Sequence, residues 1–215
     1  MYKIIGYYIC EFIQIPQYLN RKGSMISVSE CFGGTHPRLD TCFFINNYIT
    51  AQERDSYKKL WNLTEEKITQ LTKEISFLLE KGLAVDGCFS RLSDARYFYD
   101  SFFSGENSIL VSVSTKEKYW EILKEEWTDS DCGRQSLTTD YEDKNELLGI
   151  DILGWDIGGF HSFLCNRLDK MLPAASFNSY GLLENTFDEA ADFSSQIQGY
   201  GEPVIWIPCR IGKCA

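Results

Sequence analysis

The stretch that decides the fold covers residues 147–172 and reads LLGIDILGWDIGGFHSFLCNRLDKML. Its first part, residues 147–155, is a nearly continuous apolar run, which is typical of a buried strand. Two glycines, Gly158 and Gly159, come next and indicate a turn. Apolar residues then recur at helical spacing and predict a helix over residues 160–172. A strand, a turn and a helix are thus expected to meet beside His161.

Further strands are predicted from runs rich in Ile, Val, Tyr and Phe that are bounded by turn residues. These runs are residues 3–15, 25–31, 42–49, 109–113 and 203–209. The last reads PVIWIPC, with a proline at each end. Because proline donates no ladder hydrogen bond, this strand is expected at the edge of the sheet or at a bulge.

Capping residues and helical periodicity predict helices between these strands. Ile68, Leu71, Ile75, Leu78 and Leu79 form the clearest apolar stripe, with Gly82 at the C-cap. The other predicted features are a start near Ala51 after Thr50, a start near Leu63 after Asn62, an N-cap at Ser93, a capping box of Ser114 and Glu117, and a helix over residues 186–197 that is capped by Asn185 and ended by Gly199.

These elements interleave without a regular βαβ alternation, and no long linker interrupts the chain. The sequence therefore predicts one α+β domain over residues 1–215, with a mixed or mostly antiparallel sheet flanked by amphipathic helices. A Rossmann-type sheet is the weaker alternative, because the GxGxxG fingerprint of that fold is absent.

The charge balance narrows the range of partners. Lys and Arg total 21 against 31 Asp and Glu, which gives a formal net charge of -10. Phosphate backbones and anionic membrane surfaces are repelled by such a surface, so nucleic acid and membrane partners are disfavoured. A basic protein is the favoured partner, because complementary charge raises encounter rates. The sequence does not indicate an oligomeric state.

The N-terminal segment and the cysteines predict a cytoplasmic protein. The apolar run at the N-terminus is broken by Glu11 and Gln14 and has no cleavage-type site, so an unprocessed chain is expected. The 8 cysteines form no CxxC pair and are expected to be reduced, buried thiols. His36 lies between Cys31 and Cys42, but the spacing fits no standard zinc template, so neither a metal nor a cofactor is predicted.

The residues around the predicted turn form the candidate catalytic set. A turn of Gly158 and Gly159 before a helix could hold an anion with its backbone N–H groups. On the predicted helix, His161 and Cys165 are four residues apart and share one border, so a thiolate nucleophile beside an imidazole is conceivable. Asp156 would orient the histidine. The alternative is a packed cysteine and a structural histidine.

The segment of residues 128–146 is polar, rich in acids and free of periodicity, and is predicted to be a long loop. Aromatic side chains surrounded by acids make a plausible docking surface for a cationic protein. The candidate binding residues are Glu125, Glu126, Trp127, Asp129, Asp131, Asp140, Tyr141, Glu142, Asp143 and Glu146. The alternative is a solvated loop without a partner.

One segment carries a resemblance. GWDIGGFHSFLCNRL resembles a recurring segment of small uncharacterised bacterial cytoplasmic proteins. The acidic α+β chain as a whole is similar in character to immunity proteins of bacterial toxin systems. That class has no shared catalytic motif, so the resemblance implies an inhibitor-type function and no particular site residues.

Three functions follow as hypotheses. The first is a non-enzymatic module that binds and neutralises a partner protein, because no complete catalytic set occurs. The second is a small hydrolase or transferase that uses His161, Cys165 and Asp156. The third is a ligand-binding domain whose aromatic side chains line an apolar pocket.

Overall fold

The centre of the fold is an antiparallel sheet of five strands. The computed structural model describes residues 1–29, 32, 51–60, 64–80, 87–104, 107–128, 143–156 and 159–215. The five strands are β1 (Tyr2–Glu11), β4 (Ser108–Lys116), β5 (Glu146–Asp156), β6 (Gly159–Ser162) and β7 (Trp206–Lys213), in the spatial order β1-β4-β7-β5-β6. Every pairing within this sheet is antiparallel, which confirms the α+β class with a mostly antiparallel sheet.

The segment after β1 forms less strand than the sequence predicts. Only a two-residue ladder joins β2 (Ile13–Gln14) to β3 (Ser24–Met25). Beyond β3, the predicted strand over residues 25–31 is represented, in its described part up to Ser29, by a single bridge between Ser29 and Phe160. The predicted strand over residues 42–49 lies outside the described residues.

The described part of the chain has five α-helices, of which the last three contact the sheet. They are α1 (Ala51–Leu60), α2 (Glu65–Glu80), α3 (Leu92–Phe98), α4 (Glu117–Thr128) and α5 (Phe187–Gln196), and α3 continues into a π-helical turn over Tyr99–Phe103. The predicted start at Ala51 is confirmed. Among the described residues, no helix combines the length and the apolar character needed to cross a bilayer.

Several predicted caps are wrong by one or two residues. Thr64 caps α2, because its Oγ1 accepts a hydrogen bond from the Lys67 N–H at 3.2 Å. Ser93 lies inside α3, which begins at Leu92. Ser114 belongs to β4 and its hydroxyl donates to Asp143, so it does not cap α4.

The start of α5 is fixed by a reciprocal capping box. The Glu189 N–H donates to Thr186 Oγ1 at 3.3 Å, and the Thr186 N–H donates to the Glu189 carboxylate at 2.8 Å. The cap is therefore Thr186 and not the predicted Asn185. These bonds lower the pKa of Glu189, because they favour its ionised form.

Replacing Thr186 by alanine is expected to lower the free energy of unfolding by about 1 kcal/mol, because the Glu189 N–H in the first turn loses its acceptor, Thr186 Oγ1. Chemical denaturation at neutral pH measures this loss. Ser195→Ala is the matched control, since this exposed hydroxyl of the same helix donates only to the Ala191 carbonyl. An equal loss in both variants would contradict the capping assignment.

The strand β1 is buried on both faces although it lies at the edge of the sheet. Ile5 and Tyr8 face one core cluster, whereas Ile4 and Tyr7 face another. The residues of β1 that face each cluster do not alternate strictly, because the register with β4 shifts between Ile4 and Gly6. The free edge of β1 is covered at Tyr7, whose N–H and carbonyl both bond to Phe89 at 2.9 and 2.8 Å. An edge protected in this way resists pairing with other chains.

The position of β7 overturns one prediction. This strand lies in the middle of the sheet, between β4 and β5, and not at the edge. Pairing with β4 stops at Arg210, and the Pro208 carbonyl accepts a hydrogen bond from Thr115 Oγ1 at 2.7 Å. Because the N and the carbonyl of one strand residue point the same way, the absent N–H of Pro208 faces the region where the β4 ladder has ended. The proline therefore interrupts no ladder bond.

The described cysteines agree with the prediction of buried thiols. Cys10, Cys88, Cys209 and Cys214 are buried, and Cys165 is half-buried. Burial raises the pKa of Cys10, Cys209 and Cys214, so these thiols stay protonated and unreactive at neutral pH. Cys31, Cys42 and Cys132 lie outside the described residues.

Candidate functional site

The helix predicted over residues 160–172 is absent. Strand β5 turns back into β6, so that Trp155 pairs with Phe160 and Gly154 pairs with His161. After β6 the chain forms turns and then a 3-10 helix over Leu168–Met171, and Arg167 between them adopts a left-handed conformation with φ 59. The apolar pattern that predicted a helix is divided between two core clusters instead.

That division gives the physical reason for the error. Phe160 packs with Tyr8 and Trp155 in one cluster, at ring centroid distances of 6.3 and 5.3 Å. Phe163 and Leu164 pack in the second cluster. Side chains that serve two different clusters cannot all lie on one helical stripe, so strand pairing overrides the helical spacing.

The proposed anion site loses its basis for the same reason. Gly159 is the first residue of a strand, so the two glycines do not precede a helix N-terminus. Gly158 lies outside the described residues, as does the side chain of Asp156, the last residue of β5. Among the described residues on either side of this turn, no helix begins.

The candidate nucleophile and base are separated onto different elements. His161 is half-buried on β6, and Cys165 lies in the following turn, where its Sγ is 3.1 Å from Ser29 Oγ. Ser29 is completely buried. The shared helix face on which the prediction placed the imidazole and the thiol is not formed.

A buried carboxyl group that sequence reasoning missed lies close by. Asp151 on β5 is 4% exposed, and its Oδ1 accepts a hydrogen bond from Ser162 Oγ at 2.8 Å. Burial raises the pKa of Asp151 to about 7, although the bonds from Ser162 and from the Ile152 N–H oppose the shift. A signal was available in the sequence, since Asp151 interrupts the apolar run GIDILG.

Asp151 has apolar and weakly polar surroundings. With Cys10, Ile26, Ser27, Val28, Leu182 and Ile211 it encloses a narrow void that cannot hold a water molecule. Cys209 lies directly opposite Asp151 on β7, and the Asp151 charge adds to the rise of its pKa. None of these neighbours carries a positive charge, which explains why the pKa of Asp151 rises.

The acidic segment is bounded as predicted by the end of α4 and the start of β5. Glu125, which precedes the segment on α4, and Glu146, the last residue of the segment, are both exposed. Glu126 and Trp127 belong to α4, but their side chains lie outside the described part of the structure. The other candidate binding residues that lie outside the described residues are Asp129, Asp131, Asp140, Tyr141 and Glu142.

Asp143 does not belong among the candidate binding residues, because it is buried. It is only 6% exposed, and its carboxylate accepts hydrogen bonds from Ser114 Oγ at 2.5 Å, Ser112 Oγ at 3.3 Å and the Asn145 N–H at 3.1 Å. A carboxylate held in this way cannot contact a partner. Asp143 instead fastens the chain to β4 just before β5 begins.

The comparisons with known proteins identify no family for this chain. Comparison of the chain with protein-family models, with curated proteins and with solved structures finds no match. Within the described residues, no group of His, Cys, Asp and Glu side chains is arranged to hold a metal ion. The residues around His36 that were considered for zinc lie outside that part of the chain.

Proposed function

We propose that this protein is a non-enzymatic binding module of the immunity or inhibitor type, which neutralises a basic partner protein in the cytoplasm. The observation that carries the proposal is the exposed acidic row of α4. Glu117, Glu121 and Glu125 are each four residues apart and exposed, and Trp120 and Leu123 on the opposite side are buried in the core. An acidic helix face of this kind suits a cationic surface.

The end of α4 carries two acidic residues, Glu125 and Glu126. Its last turn contains no basic residue. Glu125 and Glu126 therefore add negative charge near the negative end of the helix dipole, where each acid costs about 0.3 to 1 kcal/mol. A cationic partner would offset this cost. We call Glu117, Glu121 and Glu125 the acidic row.

Part of the negative charge is already balanced within the protein. Lys3 pairs with Glu117 at 3.4 Å, and Lys124 lies 3.9 Å from Glu121. Both pairs are on the surface, where such contacts contribute little to stability. They leave the acidic row accessible, and the docking surface is proposed to extend from it along the acidic segment to Glu146.

The first experiment is affinity purification of the tagged protein from its native host, followed by identification of the recovered proteins and a salt titration of the complex. The proposal expects one stoichiometric basic partner whose dissociation constant rises steeply with salt. Binding that is independent of salt, or the repeated recovery of no partner under gentle conditions, would contradict it.

The double variant Glu121→Gln/Glu125→Gln is expected to weaken binding of that partner about ten-fold, mainly through slower association, because two steering charges are removed. The free energy of unfolding is expected to stay equal or to rise slightly, because the charge near the helix C-terminus falls. Surface plasmon resonance and chemical denaturation measure the two effects.

Glu66→Gln/Glu80→Gln on α2 is the matched control, since both of these acids are exposed and the change in net charge is the same. The control is expected to alter binding less than two-fold, because α2 is not part of the proposed surface. If both double variants weakened binding equally, net charge alone and not the acidic row would attract the partner.

The two other hypotheses have less support. The hydrolase or transferase hypothesis needs His161 and Cys165 on one helix face, and that helix is replaced by β6 and turns. The aromatic pocket hypothesis needs rings that line open space, whereas Phe163 stacks on Phe177 at 6.3 Å and Phe98 contacts Phe102 at 4.9 Å. These rings fill the core.

A further inference from the structure

A group of cations lies at the end of the sheet where β4 passes into α4. Lys116 ends β4, Lys118 belongs to the first turn of α4, and Arg210 lies on β7. Each of these three charged groups stands over an aromatic ring, at 4.4 to 4.7 Å from the ring centroid. The rings are, in the same order, those of Phe187, Tyr119 and Tyr2.

The three rings form one continuous surface. The Phe187 ring lies 5.2 Å from the Tyr2 ring and 6.1 Å from the Tyr119 ring. Tyr2 also pairs directly with Lys116 across β1 and β4. We call the three cations and the three rings the basic cluster.

Within the described residues, only one of the three positive charges of the basic cluster is balanced by an ion pair. Asp188 accepts a hydrogen bond from Lys116 Nζ at 2.5 Å, and this bond lowers the pKa of Asp188 and raises that of Lys116. No described Asp or Glu forms an ion pair with Lys118 or Arg210. The rings are neutral, so they orient these two cations without cancelling their charge.

Solvent reaches the charged groups of the basic cluster. Lys118 is exposed, the Lys116 side chain is 35% exposed, and Arg210 is half-buried. The Tyr2 and Tyr119 rings beneath them are also half-buried. Tyr and Arg side chains are enriched among the residues that contribute most to protein–protein binding. The basic cluster therefore has the composition and the exposure of an interaction surface.

The basic cluster continues directly into the acidic row. Lys118, Glu121 and Glu125 are three and four residues apart and all exposed, so they lie on one face of α4. The step from Lys118 to Glu125 spans about 10 Å along the helix axis. The exposed face of α4 is therefore positive at its first turn and negative at its last turn.

This distribution of charge does not serve the stability of α4. A helix dipole favours acids in the first turn and bases in the last turn, whereas Lys118 and Glu125 have the opposite arrangement. Glu117 follows the favoured order, but its charge is paired with Lys3 at 3.4 Å. A partner with the complementary pattern of charge would use both ends of this face.

We propose that the basic cluster receives acidic side chains, Asp or Glu, of the same partner protein whose basic residues contact the acidic row. This inference rests on the proposed function and adds to it the charge pattern of the partner, which is a basic surface with acids roughly 10 Å from the bases that meet Glu125. Lys118 supplies a point charge. Arg210 supplies a fork that can bind a carboxylate through two hydrogen bonds, and stacking on Tyr2 holds it in place.

A positive end would let an acidic protein select one basic partner among many. The net charge of -10 attracts any basic protein. Lys118 and Arg210 repel a partner that presents a base at their position, so the basic cluster rejects competitors that net charge alone would accept.

The test compares the amounts of partner protein that tagged versions of the whole chain capture from a nuclease-treated extract of the native host. The wild type is compared with Lys118→Gln/Arg210→Gln, with the conservative variant Lys118→Arg, and with the control Lys59→Gln/Lys73→Gln, which removes two exposed charges from α1 and α2. Both double variants make the net charge more negative by the same amount, so attraction by net charge alone would increase capture of a basic partner in both.

The opposite result is expected for the basic cluster. Lys118→Gln/Arg210→Gln should recover at most about a fifth of the wild-type amount of partner, because both contacts to its acids are lost. Lys118→Arg keeps the charge and should recover about the wild-type amount, and Lys59→Gln/Lys73→Gln should recover at least that amount. Quantitative mass spectrometry measures the recovered protein.

The inference is overturned if Lys118→Gln/Arg210→Gln recovers as much partner as the control double variant. Reduced capture by Glu121→Gln/Glu125→Gln in the same extract would then show that the proposed function still holds. If the wild type captures no basic protein, the proposed function fails and the inference fails with it. Capture that is seen only without nuclease treatment would assign the basic cluster to nucleic acid and would also overturn the inference.

Thermal unfolding shows whether each variant is folded, because Arg210 is half-buried. If the double variant is unfolded, the single variant Lys118→Gln decides the question, since it removes an exposed charge and keeps Arg210 over Tyr2. Lys118→Gln should recover less than about half of the wild-type amount. Full recovery by this folded variant would overturn the inference.

Discussion

The variant Asp151→Asn is expected to be more stable than the wild type at pH 8, by about 2 kcal/mol, although no contact is added. The pKa of Asp151 is about 7 in the folded protein, compared with an ordinary value of 3.8. A difference of about three pH units corresponds to about 4 kcal/mol of destabilisation once the carboxyl group is ionised. An asparagine avoids the charge, but its buried NH2 group costs part of the gain.

The sign of the pH dependence follows from the raised pKa. Between pH 3.8 and about 7 the folded protein keeps a proton that the unfolded chain has released. The contribution of Asp151 to stability is therefore fully present below pH 3.8 and is lost as the pH rises through 7. The difference in stability between the variant and the wild type should grow with pH over this window and become constant above it.

Urea denaturation between pH 4.5 and 8.5 measures this difference. Asp192→Asn is the matched control, because it removes the same charge from an exposed position on α5. Other groups also titrate over this range, so the difference between the two variants is the decisive quantity. A constant difference between Asp151→Asn and Asp192→Asn across the range would show that Asp151 is ionised in the folded state throughout.

The elements that were predicted correctly depend on local signals. The starts of α1, α2 and α4 follow from capping and spacing within a few residues, and β5 follows from its apolar run. The helix predicted over residues 160–172 was wrong, because the apolar residues of this segment fit a helical stripe and a division between two core clusters equally well. Only the pairing of β6 with β5 decides between them, and that pairing is a tertiary contact.

The candidate sites were predicted less well than the fold, for a related reason. Arg210 meets Tyr2 only when β7 and β1 join one sheet, and no local pattern encodes that contact. Asp143 was mistaken for a surface acid because the segment before it is strongly acidic. Composition reports the average surroundings of a segment, whereas burial of one residue depends on distant strands.

Asp143 is the second position where a large effect is expected. Replacing it by alanine should lower the free energy of unfolding by about 3 kcal/mol. The Ser112 and Ser114 hydroxyls and the Asn145 N–H would lose a charged acceptor in a buried place. Asp143→Asn keeps one acceptor oxygen and should cost about half as much.

Glu146→Ala is the control for Asp143→Ala, because Glu146 is an exposed acid at the start of β5 and has the same charge. Its stability should change by less than about 0.5 kcal/mol. Chemical denaturation of the three variants provides the comparison. A loss for Asp143→Ala that is no larger than that for Glu146→Ala would mean that the bonds to β4 do not hold this part of the chain.

The Asp143 bonds also connect the fold to the proposed docking surface. The Asp143 N–H donates to the Tyr2 carbonyl at 3.1 Å, and Asn145 Nδ2 donates to Ser112 Oγ at 2.9 Å, so one end of the acidic segment is tied to both β1 and β4. Asp143→Asn should therefore weaken partner binding more than Glu66→Gln/Glu80→Gln does, although Asp143 itself is buried. Equal binding by wild type and Asp143→Asn would confine the docking surface to the acidic row of α4.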